Sequence, residues 1–148
     1  MDDRKERVRR NVERLRRAEL EGSYNSIAQE LTRKRLDWYE RNKVSLGLEG
    51  SDVRKAYTLL LIRYLGLDPK EVPVVYEDEE RIVWRSHNFC PLLEACKEKG
   101  RDTRVVCSKL EAPAQALVSK VSPTLRFSRK YATLRPYGAF CEEMIERR

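Results

Sequence analysis

The sequence predicts an α+β fold in which N-terminal helices are followed by antiparallel hairpins with helices between them. Apolar residues recur at helical spacing over most of residues 1–67, whereas apolar and polar residues alternate in segments beyond residue 73. Because helices and hairpin strands are segregated along the chain, the pattern favours α+β over α/β. We therefore expect a helical region at 1–67 and an α+β region at 68–148, packed as one compact domain.

Three helices are predicted in the N-terminal region, at residues 2–21, 23–46 and 52–65. The first carries only a thin apolar stripe, so it needs a partner surface in the same chain or in a second copy. The third is apolar on most of its sides, which is typical of a core helix, and Ser51 is placed to cap it.

A first hairpin follows, with strands at 74–76 and 81–86 joined by an acidic turn. Ile82 and Trp84 share one face of its second strand, because side chains two residues apart project to the same side.

Two shorter helices are predicted next. Pro91 fits the first position of a helix over 92–99, which places Cys90 at a helix N-terminus, where the helix dipole lowers the pKa of a thiol. Residues 104–107 are short and are expected to be extended.

Ser108 and Glu111 have the spacing of a capping box, which predicts a helix that runs to about residue 121. Alternation then predicts a strand at 125–135 and, after a turn, a last strand at 139–145 that pairs with it as the second hairpin.

Charge is abundant and unevenly placed. Charged residues make up 37% of the chain and the net charge is +7, and amides are few, a composition typical of thermophile proteins. Residues 68–80 hold six acids, and residues 101–136 hold eight bases. A basic region of this kind can steer an anionic ligand or a nucleic acid, although a solvated surface of mixed charge has the same composition.

The N-terminus and the hydropathy indicate a cytoplasmic protein. Met1 is followed by charged residues and not by the apolar run of a signal peptide, and no apolar segment approaches the length that spans a bilayer. We therefore expect reduced cysteines and no membrane partner.

The single histidine and three of the four cysteines form the first set of candidate site residues. His87, Cys90, Cys107 and Cys141 have the donor types of a tetrahedral zinc site, although only the first two are close in sequence. Alternatively, Cys90 is a nucleophile with His87 as its base. Buried, unreactive cysteines are the simplest alternative, and Cys96 is expected to lie in the core.

Arginine and aromatic residues form the second set. Arg129 falls on the apolar face of the predicted strand at 125–135, where a charge must reach solvent, a partner or a ligand. The aromatic residues expected to surround it in a ligand pocket are Trp84, Phe127, Tyr131 and Tyr137. Such a pocket would hold a carboxylate or a phosphate.

Three motifs and one isolated cysteine suggest a family. They are Cys90-Pro91-Leu92-Leu93-Glu94-Ala95, Cys107, Pro123-Thr124-Leu125-Arg126-Phe127-Ser128-Arg129 and Tyr137-Gly138-Ala139-Phe140-Cys141-Glu142. In this order they resemble the 2-amino-thiazoline-4-carboxylic acid hydrolase-like family and the related vinyl-reductase (V4R) small-molecule-binding domains, over about residues 70–145. The resemblance implies a V4R-like α+β domain that encloses a small organic ligand, is often dimeric, and has cysteines near the pocket that bind zinc in some relatives.

The leading expectation is therefore a domain that binds a small, anionic organic ligand, with zinc held by its cysteines and with a homodimer as its assembly. One alternative is a hydrolase of small amide or thiazoline substrates that uses a thiol or a metal. A second alternative is a nucleic-acid-binding protein, which the +7 charge and the basic strands of the C-terminal region support.

Overall fold

A computed structural model describes residues 3–148 and shows an α+β architecture, in which six α-helices accompany one antiparallel sheet of four strands. The helices are α1 (Asp3–Glu21), α2 (Asn25–Asn42), α3 (Asp52–Tyr57), α4 (Pro91–Lys99), α5 (Thr103–Lys109) and α6 (Ala112–Val121). The strands are β1 (Val74–Glu77), β2 (Arg81–Ser86), β3 (Leu125–Arg129) and β4 (Cys141–Arg147). The predicted fold class is confirmed, and Asp2, the predicted first residue of α1, lies outside the described residues.

The two predicted hairpins join edge to edge into one sheet. Its strand order is β1-β2-β4-β3, so the second strand of each hairpin lies in the centre. Ile82 pairs with Ile145, and Phe127 pairs with Ile145 from the other side. These three side chains and Trp84 are buried on one face, the inner face, against the helices. The prediction that Ile82 and Trp84 share one face of β2, because side chains two residues apart along a strand project to the same side, is therefore confirmed.

Two apolar cores hold the fold together. The larger lies between the inner face of the sheet and α3 and α6, with Leu59 and Leu117 fully buried in it. The smaller joins α1 to α4 and α5 around Leu15, Cys96 and Val106. The thin stripe of α1 thus finds its partner surface within the chain. Each core combines residues from 1–67 with residues from 68–148.

The third helix changes its hydrogen bonding halfway along. Ser51 accepts the backbone N–H of Arg54 as the expected N-cap, and after Tyr57 the helix continues as a π-helix over Thr58–Tyr64. The wider turns end where the Leu65 N–H reaches the Leu60 carbonyl over 3.2 Å. Such segments often occur at functional sites, and this one presents Tyr64 towards α2.

Three local predictions were wrong. Residues 104–107 are helical in α5, because the Asp102 side chain caps the Arg104 N–H at 2.9 Å and starts a turn. Ser108 does not cap α6, since its hydroxyl donates to the Val105 carbonyl within α5. Strand β3 ends at Arg129, and a 3₁₀ turn over Tyr131–Thr133 follows in place of further strand.

Across residues 3–148, no helix combines the length and the apolar character needed to cross a membrane.

Candidate functional site

A buried ion pair lies on the inner face of the sheet where β3 and β4 meet. Arg129 and Glu143 are directly opposite in the strand register, and Arg129 Nε donates to a Glu143 carboxylate oxygen over 2.8 Å. Their side chains are only 18% and 11% exposed. The other Glu143 oxygen accepts from Trp84 Nε1 at 3.1 Å and from the Ser86 hydroxyl at 2.7 Å. Glu143 is thus saturated with donors, as a buried carboxylate must be.

Arg129 is held firmly in its charged form. Burial by itself would lower the pKa of its guanidinium, but Glu143 and the Cys107 side chain outweigh this effect and raise that pKa. The guanidinium also stacks over the Phe127 ring, 4.7 Å from its centroid, and reaches towards the Cys107 carbonyl at 3.5 Å. The charge that the sequence placed on an apolar face therefore finds a protein partner.

A second arginine lies close enough to Arg129 to interact with its charge. Burial lowers the pKa of Arg35 on α2, and the positive charge of Arg129 lowers it further. The contacts that oppose this effect come from Tyr64, whose ring centroid is 4.9 Å from the guanidinium carbon. Within residues 3–148, no carboxylate lies at ion-pair distance from Arg35. A half-buried guanidinium thus rests on a neutral ring.

Arg14 of α1 also lies close enough to Tyr64 to interact with it electrostatically. Burial lowers the pKa of its guanidinium, with Glu30 and Tyr64 opposing the shift. Glu30 is itself paired at 3.0 Å with Arg17, and the nearest polar partner of Arg14 is the Asn11 amide oxygen at 3.5 Å. We refer to Arg14, Arg35 and Arg129, with Tyr64 and Glu143, as the arginine cluster.

The arginine cluster joins residues from both halves of the chain and contains more guanidiniums than carboxylates. It draws on α1, α2, the π-helix and two strands, so it forms only when the helices pack onto the sheet. Glu143 is the one carboxylate among the five residues of the cluster, and it is bonded to Arg129. The charge of Arg14 is partly offset by Glu30 from outside the cluster. The Tyr64 ring is fixed from behind by Trp38, edge-to-face at a centroid distance of 5.0 Å. The arrangement can accept an anion as its missing counter-ion.

The predicted aromatic pocket is assembled only in part. Trp84 and Phe127 are buried beside Arg129 with ring centroids 6.2 Å apart, so they pack as core and expose little surface to a ligand. Tyr131 lies next to Arg129, and its hydroxyl is bonded to Glu111; burial and this bond raise the pKa of Tyr131 to about 12. Tyr137 is exposed and stacks under Arg104 instead.

Cys90 occupies the predicted helix N-terminus, but the expected effect on its thiol was wrong. Its sulfur accepts the Leu93 N–H at 3.4 Å as the N-cap of α4, yet burial raises the pKa of the thiol above its usual value. His87 is exposed, its ring packs at a tilted angle against Phe140 with the centroids 5.5 Å apart, and its backbone N–H donates to the Glu71 carbonyl. The structure shows a helix cap here and no activated thiol.

The cysteines come together in space although they are far apart in sequence. The Cys107 thiol interacts with those of Cys90, Cys96 and Cys141, and burial raises its pKa to about 12. Arg135 Nε lies 3.3 Å from the Cys141 sulfur. Even so, within the described part of the chain no three His, Cys, Asp or Glu side chains are arranged to hold a metal ion. Metal binding by these residues stays a prediction.

Two surface cavities lie elsewhere. One, of about 590 Å³, lies between α1 and α4 and is lined in part by Val8, Phe89 and Glu98. The other, of about 420 Å³, lies between α2 and α6 around Leu36 and Ala112. Neither contains a predicted ligand-binding residue or a member of the arginine cluster.

Arg35 and Glu143 were not predicted as site residues, although the sequence contained a signal for both, namely a charge at a position of an apolar stripe or face. Arg35 follows Ile27 and Leu31 at spacings of eight and four, so it interrupts the apolar stripe of α2 just as Arg129 interrupts that of β3. Glu143 likewise alternates with Cys141 and Ile145 on the inner face of β4.

Comparison of the chain with protein-family models, with curated proteins and with solved structures gives no match. The resemblance to the hydrolase-like and vinyl-reductase families therefore stays a prediction.

Proposed function

We propose that this protein binds a small organic anion, whose carboxylate or phosphate group is taken up by the arginine cluster. The observation that carries the proposal is Arg35, a half-buried guanidinium without a carboxylate partner in residues 3–148, which lies close enough to Arg129 for the two positive charges to interact. The two positive charges repel each other, and an anion bound between them would remove that repulsion.

The chemistry of the cluster supports an anion that accepts several hydrogen bonds. A guanidinium presents five N–H donors in a planar fork, which matches the oxygens of carboxylate and phosphate. Arg129 is already oriented by Glu143, so little ordering remains to be done on binding. The ring of Tyr64 provides an apolar surface for the organic part of the ligand.

The alternative of a thiol hydrolase has weaker support. A nucleophilic cysteine needs a lowered pKa or an adjacent base, whereas burial raises the pKa values of the Cys90 and Cys107 thiols and the His87 ring stacks on Phe140. Hydrolysis and nucleic-acid binding stay predictions from the sequence, and no contact described above favours them over anion binding.

The test is a thermal-shift and calorimetric titration with inorganic phosphate, sulfate and a panel of aliphatic and aromatic carboxylates, with matched amides as neutral controls. We expect acids to bind and their amides to fail. Arg35→Gln should weaken binding at least tenfold, whereas Arg41→Gln, which removes the same charge from the exposed face of the same helix, should not. Equal loss in both variants would show that only the net charge attracts the anion and would exclude a site at Arg35.

A further inference from the structure

The sheet has a second face that the helices do not cover. The helices pack on the inner face, where Ile82, Trp84 and Ile145 are buried. The residues that alternate with them point to the opposite side, and we refer to them as the outer face. They are Tyr76 on β1, Arg81, Val83 and Arg85 on β2, Glu142, Met144 and Glu146 on β4, and Arg126 and Ser128 on β3 with Lys130 beyond its end.

The middle row of the outer face is apolar on three of the four strands, and Ser128 of β3 is its polar fourth member. Val83 pairs with Met144 across the two central strands, and Tyr76 pairs with Val83 on the edge and is 45% exposed. An antiparallel sheet with one face in water normally presents polar side chains there. An apolar row in the centre of an open sheet is instead typical of a surface that packs against another sheet.

The charges beside this row alternate in sign from strand to strand. β1 leads into the acidic turn at residues 78–80, β2 carries Arg81 and Arg85, β4 carries Glu142 and Glu146, and β3 is flanked by bases at positions 126 and 130. In the order β1-β2-β4-β3 the signs are therefore acidic, basic, acidic, basic.

This pattern is self-complementary. A two-fold axis that runs parallel to the strands, between β2 and β4, lays β2 of one chain over β4 of its copy and β1 over β3. Every strand then faces one of opposite charge, and the apolar row around Val83 and Met144 faces its own copy. A nucleic acid does not fit as well, because the acidic β4 lies in the middle of the face.

We propose that the outer face is the interface of a homodimer in which two sheets pack face to face through this two-fold axis. Four strands at about 4.8 Å and about six residues at ~3.4 Å give a face of roughly 400 Å² in projection. Stable interfaces bury about 800 Å² of accessible surface on each partner, so we expect a weak dimer with a dissociation constant on the order of micromolar.

Within one chain the same charges make cation–π contacts and surface pairs. Arg81 lies over the Tyr76 ring, 4.7 Å from its centroid, and Arg85 lies over the Phe140 ring at 4.6 Å. Arg85 Nε lies 3.3 Å from Glu142, and Glu146 pairs at 3.0 Å with Arg148. Exposed pairs of this kind contribute about 0–1 kcal/mol each and do not require the alternation across all four strands.

The test uses charge reversal at the pair Arg81 and Glu146, which are neighbours within the sheet and which also face each other across the proposed axis. In sedimentation velocity experiments over increasing concentration, the wild-type chain should pass from monomer to dimer. Arg81→Glu alone and Glu146→Arg alone should each weaken self-association at least tenfold, because either change creates two like-charge contacts at the interface.

An equimolar mixture of the two variants should recover dimerisation as a heterodimer, since opposite charges again meet between chains although the like charges within each chain remain. The double variant on one chain should dimerise like wild type, which checks that the substitutions leave the fold intact. Arg33→Glu, on the exposed side of α2, is the control and should change nothing. A wild-type chain that stays monomeric at submillimolar concentration, or a mixture that does not recover association, would overturn the proposal.

Discussion

Replacing Arg35 by methionine should make the protein more stable and should abolish anion binding. Arg35 is half-buried on α2, it is repelled by Arg129, and its favourable contact is the ring of Tyr64. Methionine has a similar length and no charge to desolvate. The stripe of α2 would then be apolar without interruption from Ile27 to Trp38.

The expected magnitude follows from two opposing effects. Exchanging buried charges for apolar side chains of similar volume often stabilises proteins by about 1–4 kcal/mol, and the lower half applies because the Arg35 residue keeps partial access to solvent. The lost cation–π contact with Tyr64 offsets about 0.5–1 kcal/mol of this gain. We therefore expect a net gain of about 1 kcal/mol, which corresponds to a rise in Tm of roughly 2–4 °C for a chain of this size.

Urea unfolding and thermal melts measure the stability change, with Arg41→Met as the matched control on the exposed side of α2. The control should stay within about 0.5 kcal/mol of wild type. The two proteins are then compared in the presence of the tightest anion from the ligand panel, which should stabilise wild type but not Arg35→Met. A loss of more than about 1 kcal/mol in the Arg35 variant without ligand would refute the reasoning, because it would mean that the guanidinium holds the fold together.

Three further predictions concern the fold. Gln115→Ala should cost about 2 kcal/mol in urea unfolding, since the side-chain amide of Gln115 bonds two backbone groups of the edge strand β3, at 2.8 and 2.9 Å, and both would be left unpaired. Burial raises the pKa of Cys107 to about 12 and that of Cys96 to about 11, whereas thiols in the unfolded chain ionise from about pH 9. The free energy of unfolding should therefore fall as the pH rises from about 9, because the unfolded chain loses these protons first. A Cys107→Val variant should show a shallower fall over the same range. Gly138→Ala should reduce the free energy of unfolding by about 2 kcal/mol or more, because the added Cβ would collide with a backbone carbonyl oxygen. Gly100→Ala should cost about 1 kcal/mol, because its Cβ would meet no atom within 4 Å and only the φ of +64° is unfavourable. An equal cost of the two substitutions in thermal melts would contradict the assignment of the collision.

The sequence predicted those features that depend on local pattern. The helical spacing of apolar residues and the capping residues predicted α1 to α4, with Ser51 and Cys90 at the N-cap positions of α3 and α4. The alternation of apolar and polar residues predicted the buried face of β2. Residues 104–107 were wrongly predicted to be extended, because a four-residue window with two adjacent valines does not distinguish strand from helix. The side chain of Asp102 caps this segment and favours the helix. Strand β3 was predicted too long for a related reason, since alternation continues past Arg129 although pairing with β4 does not.

The candidate site was predictable in its components but not in its assembly. Arg129 was recognised because a charge on an apolar face is visible in one strand. Its partner Glu143 depends on the register between β3 and β4, which no single segment specifies. The approach of Arg35 to Arg129 depends in turn on how α2 packs over α6 and the sheet, and the gathering of the cysteines depends on the same tertiary packing.

The buried charges of the arginine cluster differ in whether they have a partner of opposite charge. Glu143 accepts three hydrogen bonds and fixes Arg129, so this pair is complete and its removal would leave either charge stranded. Arg35 adds a second positive charge to a finished pair and is met by the neutral ring of Tyr64. If Arg35 served packing alone, an apolar residue would do so at lower cost, since desolvating a guanidinium is unfavourable. The surplus becomes favourable only when an anion enters, and the same charge that weakens the empty fold then contributes to binding.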